Sequence, residues 1–195
     1  MKDPGVYPPS EDTFLLFAAA EREYQGAERV LEVGCGSGYI SSRLQAGRSG
    51  GRSGILASDI NPYALRAARD AGLDAVRADL LSGIRGPFDL VIFNPPYLPT
   101  SPEDRLDDWL EYALDGGPDG RAVIARFIED VGRVLAWGGR FLLLVSSLTG
   151  IREVRSLLDY AGYSNEVVLK ERIEGEDLLV IRAWRRECPP GSFTL

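Results

Sequence analysis

The stretch Val30-Leu31-Glu32-Val33, running into Gly34-Cys35-Gly36-Ser37-Gly38-Tyr39, constrains this chain more than any other. A short apolar run that breaks at clustered glycines and resumes with helical spacing over residues 40–46 reads as strand, turn and helix. That unit opens an α/β sheet with a ligand crevice at the turn. The glycines follow a G-x-G-x-G spacing. A dinucleotide fingerprint has a further glycine three residues after the second, where this chain has Tyr39. No G-x-x-x-x-G-K-[ST] occurs, so a P-loop is excluded. Glu32 would repel a pyrophosphate; it suits a ligand bearing an ammonium group.

The second strand, residues 54–59, ends in Asp59. Asn61 as cap and Pro62 as first residue then start a helix over residues 63–71, stopped by Gly72. With Asn61 the better cap, Asp59 is left free to accept both hydroxyls of a ribose. A third strand over residues 74–78 leads to Asp79 and Leu80. The fourth, Phe88-Asp89-Leu90-Val91-Ile92-Phe93, halts at Asn94-Pro95-Pro96-Tyr97. Consecutive prolines cannot donate to a sheet ladder, and each pushes its predecessor towards extended backbone. What remains is a stiff loop presenting a carboxamide, a free carbonyl and an aromatic ring. Taken alone, it could be no more than a proline-stiffened turn.

Ahead of the first strand, an arm with Tyr7-Pro8-Pro9 leads to Ser10, an N-cap for a helix reaching about residue 24, with Glu11 and Asp12 in its first turn. Beyond the fourth strand, residues 98–120 are irregular and long enough to form a lid or a substrate-facing element. An amphipathic helix follows over residues 121–137, then a buried strand over 140–145 and a helix over 149–161. Strands over 164–170 and 177–184 flank Glu174-Gly175 and should pair as a hairpin. The duplicated Gly-Arg-Ser-Gly of residues 47–54 reads as a mobile loop. Its arginines suit solvent better than RNA.

The expected fold is therefore a doubly wound, seven-stranded, mostly parallel sheet with a C-terminal antiparallel hairpin. Residues 1–195 form one domain, with an N-terminal arm and helix in residues 1–25. Ligands in such sheets lie beyond the carboxyl ends of the strands, where the strand order reverses. If the first and fourth strands straddle that point, Gly34–Gly38 and Asn94–Tyr97 face each other. Asp59 and Asp79 leave neighbouring strands on the same side.

Composition narrows the chemistry. There is no histidine, which excludes Ser-His-Asp and Cys-His catalysis and nearly all catalytic zinc sites. A formal net charge of −7 argues against stable nucleic-acid binding as the main task. Two cysteines, Cys35 and Cys188, are too few for a disulfide framework. No apolar run has the length of a membrane span and no signal-peptide pattern opens the chain, so a cytoplasmic protein is expected.

With these residues in place, the chain resembles class I S-adenosylmethionine-dependent methyltransferases, with Glu32 to Gly38 as the cofactor loop. Asn94-Pro95-Pro96-Tyr97 is similar to the signature of amino-methyltransferases acting on planar nitrogens. Tyr7-Pro8-Pro9-Ser10-Glu11-Asp12-Thr13-Phe14-Leu15-Leu16 resembles the HemK-like release-factor glutamine methyltransferases of the archaeal and eukaryotic branch, which lack the separate N-terminal domain of bacterial relatives. The resemblance implies that Glu32, Gly34 and Gly36 hold the methionine part of the cofactor, with Asp12 and Thr13 closing over it. Asp59 would take the ribose, Asp79 with Leu80 the adenine, and Asn94 would contact the cofactor as well as the acceptor. It implies as acceptor the glutamine of the Gly-Gly-Gln loop of a class I peptide-chain release factor. A small zinc-binding activator protein would pair at the edge formed by the third strand.

The residues suit that chemistry. An amide nitrogen is a poor nucleophile because its lone pair is delocalised into the carbonyl. The side-chain oxygen of Asn94 and the carbonyl of Pro95 can accept its two N–H groups while Tyr97 stacks on the plane. An adenine or guanine amino group would satisfy the same acceptors, so a nucleic-acid methyltransferase is the alternative. Methylation of another protein side chain, such as lysine, is a further one.

Overall fold

The computed structural model describes residues 5–47, 54–100 and 108–186. The duplicated loop, but for its flanking glycines, and the Cys188 tail lie outside the described residues. A sheet of seven strands has the order β3-β2-β1-β4-β5-β7-β6. These are β1 (Val30–Val33), β2 (Ile55–Asp59), β3 (Asp74–Arg77), β4 (Phe88–Phe93), β5 (Leu135–Ser146), β6 (Tyr163–Ile173) and β7 (Glu176–Arg185). β1 pairs in parallel with both β2 and β4, so the order reverses between β1 and β4 as expected. Only β7 runs against the rest, and it is not an edge. It lies between β5 and β6, antiparallel to both.

Alternation along the central strands divides the core into two layers. Leu90 and Ile92 of β4, with Leu142 and Leu144 of β5, face α1 (Glu11–Glu23) and α2 (Tyr39–Ala46). Val91, Phe93, Phe141, Leu143 and Val145 face α5 (Ala122–Val131) and α6 (Ile151–Tyr160). Both faces of these strands are covered, which is why they read as unbroken apolar runs. α3 (Pro62–Asp70) packs on β2 and β3. Asn61 caps it, accepting the Tyr63 N–H at 2.9 Å, with Pro62 at the first position. A short helix, α4 (Trp109–Tyr112), lies within the segment read as irregular.

Three local expectations change. Ser10 sits at the N-cap of α1, but its hydroxyl bonds Glu11 rather than a backbone N–H. The helix expected over 121–137 ends at Val131, because Leu135 is already paired with Phe88 across β4 and β5. Thr149 belongs to a 3-10 turn, Ser147–Thr149, ahead of α6.

α1 is fixed to the sheet at its C-terminal end. The Arg140 guanidinium on β5 reaches Glu23 Oε2 at 3.0 Å and Glu28 Oε1 at 2.7 Å, and Arg182 on β7 reaches Glu23 Oε1 at 2.8 Å. The Arg140, Glu23 and Glu28 side chains are only about 15% exposed, so losing one partner would strand a charge away from water. The opposite end of α1 carries Asp12 to the carboxyl ends of the strands.

Candidate active site

A cavity of about 610 Å³ opens at the carboxyl ends of β1, β2 and β4, a size ordinary for a small-molecule site. Every site residue expected from the sequence lines it: Asp12, Thr13, Glu32, Gly34, Gly36, Asp59, Asp79, Leu80, Asn94, Pro95 and Tyr97.

The glycine turn is built by left-handed backbone. Gly36 has φ +52°, and a Cβ there would also meet the Tyr7 carbonyl at 3.7 Å. Gly38, with φ +73°, starts α2; a Cβ there would come within 2.8 Å of Leu73 and 3.4 Å of Ala68. The close approach of α2 to α3 therefore rests on Gly38, although the dinucleotide spacing has its last glycine one residue later.

Glu32 points from β1 to the α2 side, where Ser41 donates its backbone N–H at 3.0 Å and its hydroxyl to Oε2. Burial pushes the carboxyl up to about 7, against the pull of the Ser41 bonds, with Asp59 adding to the rise. Asp59 lines the cavity and is also engaged with the backbone. Its Oδ2 accepts the Gly36 N–H at 2.9 Å and its Oδ1 the Asn61 N–H at 2.8 Å. It clasps the glycine turn to the start of α3, and desolvation raises its pKa despite these bonds. Asp79 holds Arg126 at 2.8 Å in a half-exposed pair, so its carboxylate is partly engaged as well. Leu80 beside it has φ +50°, a backbone shape rare outside glycine.

Asp12 is 4% exposed and takes four donors. The Thr13 N–H at 2.6 Å and Thr13 hydroxyl at 3.1 Å reach Oδ1; the Tyr7 hydroxyl at 3.4 Å and Asn94 Nδ2 at 3.0 Å reach Oδ2. The other end of the Asn94 carboxamide, Oδ1, is buried with no partner among the described residues. Burial, then the nearby Asp12 and Glu176 carboxylates, raise Tyr97 well above the usual phenol range, so it stays neutral and hydrogen-bearing.

Residues outside the expected site set also line the cavity, two of them from the 98–120 segment expected to face substrate. Tyr7 folds from the arm over the cavity; Trp109 and Tyr112 come from α4; Glu176 comes from the start of β7, where Ser146 donates to it. Tyr7 stood in the quoted N-terminal run and could have been found there. Glu176 had no local signal. Among the described residues the one basic side chain lining the cavity is Arg126, already paired with Asp79. The site thus suits a positively charged ligand and offers an unsatisfied acceptor beside it.

A profile of the methyltransferase small domain matches residues 4–106. A protein of Methanocaldococcus jannaschii, provisionally named a protein N5-glutamine methyltransferase, is 38% identical over 93% of this chain and 93% of its own length. The mouse methyltransferase HEMK2 is 35% identical, covering 91% of this chain and 88% of its own. Among solved structures, the Mtq2–Trm112 complex of E. cuniculi, described as responsible for methylating the translation termination factor eRF1, superposes with a TM-score of 0.76. It is 33% identical and covers 93% of this chain and 99% of that one.

Proposed function

This chain belongs to the methyltransferase small domain family, and on that premise we propose that it methylates the glutamine side chain of the Gly-Gly-Gln loop in a class I peptide-chain release factor. The observation that carries this reading is the Asn94 carboxamide oxygen, buried and without a partner among the described residues, on a side chain that lines the cavity together with Pro95 and Tyr97. A buried acceptor left without a partner costs about 1–3 kcal/mol, which an arriving N–H would recover.

S-adenosylmethionine, when bound, supplies an electrophilic methyl group on a positively charged sulfonium. The residues present fit it: Glu32, Gly34 and Gly36 would hold its methionine part with Thr13 alongside, Asp59 its ribose, and Asp79 with Leu80 its adenine. Asn94 Oδ1 and the Pro95 carbonyl accept the two N–H bonds of the acceptor amide. Both interactions shift electron density onto nitrogen and hold its lone pair in one direction. Neither oxygen removes a proton beforehand; the nitrogen, once methylated, would carry one proton too many and be strongly acidic, and that proton would leave along these hydrogen bonds to solvent. The Tyr97 ring covers the amide plane and keeps water away. Tyr97 is held in its neutral form, so it serves as a surface and a donor, not a base.

An activator partner fits the same reading. β3 is an edge strand, and three of its four residues are exposed. Such an edge can accept a further strand. The E. cuniculi relative was solved as a two-protein complex, and we propose a small zinc-binding activator for this chain too. Among the described residues no helix is long and apolar enough to cross a membrane; release factors work in the cytoplasm, where the reading places this chain.

The test is mass spectrometry of a release factor after incubation with isotopically labelled cofactor. Controls are a glutamine-to-asparagine release factor and a matched adenine-bearing oligonucleotide. Label on the glutamine alone supports the reading; label on the oligonucleotide, or equal label on the asparagine control, overturns it.

A further inference from the structure

The resemblance to known methyltransferases gave Asp12 a share in holding cofactor, but its bonds point elsewhere. A carboxylate offers about four acceptor positions. All four on Asp12 are filled from within the chain, by two groups of Thr13, by Tyr7 and by Asn94. At 4% exposure its carboxylate has no vacant acceptor position, although the residue lines the cavity.

We infer that Asp12 is the positioning residue that fixes which way round the Asn94 carboxamide sits, and through it where the acceptor nitrogen is held. This rests on the reading that Asn94 receives the acceptor amide.

A carboxamide is nearly symmetric in shape and opposite in chemistry at its two ends: NH2 donates and oxygen accepts. In a cavity that offered it no partner, both orientations would be populated. Asp12 removes that freedom because an ionised carboxylate only accepts. With Asn94 as found, Nδ2 donates to Asp12 Oδ2 at 3.0 Å and Oδ1, at the other end of the carboxamide, is buried without a partner among the described residues. Turned over, two acceptor oxygens would oppose each other at that distance. An NH2 group would then meet the N–H of the incoming amide, donor against donor. The contact spans 82 residues of sequence, so it forms only when α1 docks beside the end of β4. Asp12 is itself immobilised by its bonds to Thr13 in the first turn of α1.

The test combines a substrate-free measurement with kinetics. The full chain contains three asparagines and two glutamines, so its side-chain NH2 groups are few enough to resolve by 15N–1H NMR, with Asn94→Ala assigning the relevant pair. In the wild type the Asn94 NH2 should exchange slowly with solvent. In Asp12→Asn, which keeps the shape but can donate as well as accept, exchange should quicken about tenfold or more, while cofactor affinity by calorimetry changes less than about threefold. Turnover should fall by about tenfold or more at an unchanged KM for cofactor. The charge swap gives the stricter check. Asn94→Asp alone sets two carboxylates against each other; adding Asp12→Asn restores a donor facing an acceptor and should recover at least about tenfold of the lost turnover.

Unchanged NH2 exchange in Asp12→Asn overturns the inference. So does a loss of cofactor affinity as large as the loss of turnover, or a double variant no better than Asn94→Asp. If the wild type leaves the release factor unmethylated but the NH2 exchange responds as stated, the substrate reading fails and the orienting contact stands.

Discussion

Ser41 donates both its backbone N–H, at 3.0 Å, and its hydroxyl to a single carboxylate oxygen of Glu32. The pair is buried between β1 and α2, and burial outweighs the two bonds, leaving the carboxyl near 7. At pH 6 the free protein therefore carries Glu32 mostly protonated. An ammonium-bearing ligand favours the ionised form, so binding at that pH should release close to one proton. Affinity should weaken below about pH 7, approaching tenfold per pH unit. Calorimetry in two buffers of different ionisation enthalpy would measure the proton, and Glu32→Gln should abolish its release. Binding heats independent of buffer at pH 6 would remove Glu32 from the ammonium end.

Asp59→Ala should weaken cofactor binding about ten- to one-hundredfold, the equivalent of one charge-assisted hydrogen bond of roughly 1.5–3 kcal/mol. Because Asp59 also accepts from Gly36 and Asn61, this variant should melt at a lower temperature. Asp59→Asn, which keeps an acceptor oxygen, should lose less stability than Asp59→Ala. Equal melting temperatures for all three proteins would mean the clasp does not hold the glycine turn.

Asn94→Ala should leave cofactor affinity within about threefold of wild type. Turnover should drop about 10²–10³-fold, as is usual for a preorganised polar contact at a reacting centre. Single-turnover assays with saturating cofactor would separate the two effects. Near-wild-type turnover would show that the acceptor amide is held by something else.

Val76→Asp probes the partner. Val76 is 39% exposed on the β3 edge, so a charged residue there should leave the melting temperature of the lone chain nearly unchanged. It should suppress association with an activator that adds a strand at that edge. Undiminished association, measured by co-purification of the two proteins, would place the partner on another surface.

Much of this molecule was legible because its signals are local. The strand–glycine–helix unit, the Asn61–Pro62 helix start and the proline stop after β4 each depend on a few consecutive residues, and each lies where the sequence put it. The reading of residues 121–137 failed for an instructive reason. Ile124, Ile128, Val131 and Leu135 keep one helical face, but Leu135 gains a strand partner in Phe88, and that long-range pairing decides the boundary. The sequence shows that Asn61 and not Asp59 caps α3, but not that the fold brings Asp59 the Gly36 N–H from another strand end. Glu176 was invisible because its place at the cavity depends on where a hairpin lands, which no nearby residue announces.

The position of β7 bears on how the chain can be made. Translation delivers residues in order, yet the strand delivered last enters the interior of the sheet, between β5 and β6. Until residues 176–185 leave the ribosome, β5 lacks one neighbour, and its run from Phe141 to Val145, wholly buried in the finished protein, faces an open edge. Such an edge invites pairing with other chains. A chain cut at Gly175 would thus keep the residues of the glycine turn and the Asn94 loop while leaving β5 open on one side and lacking Glu176.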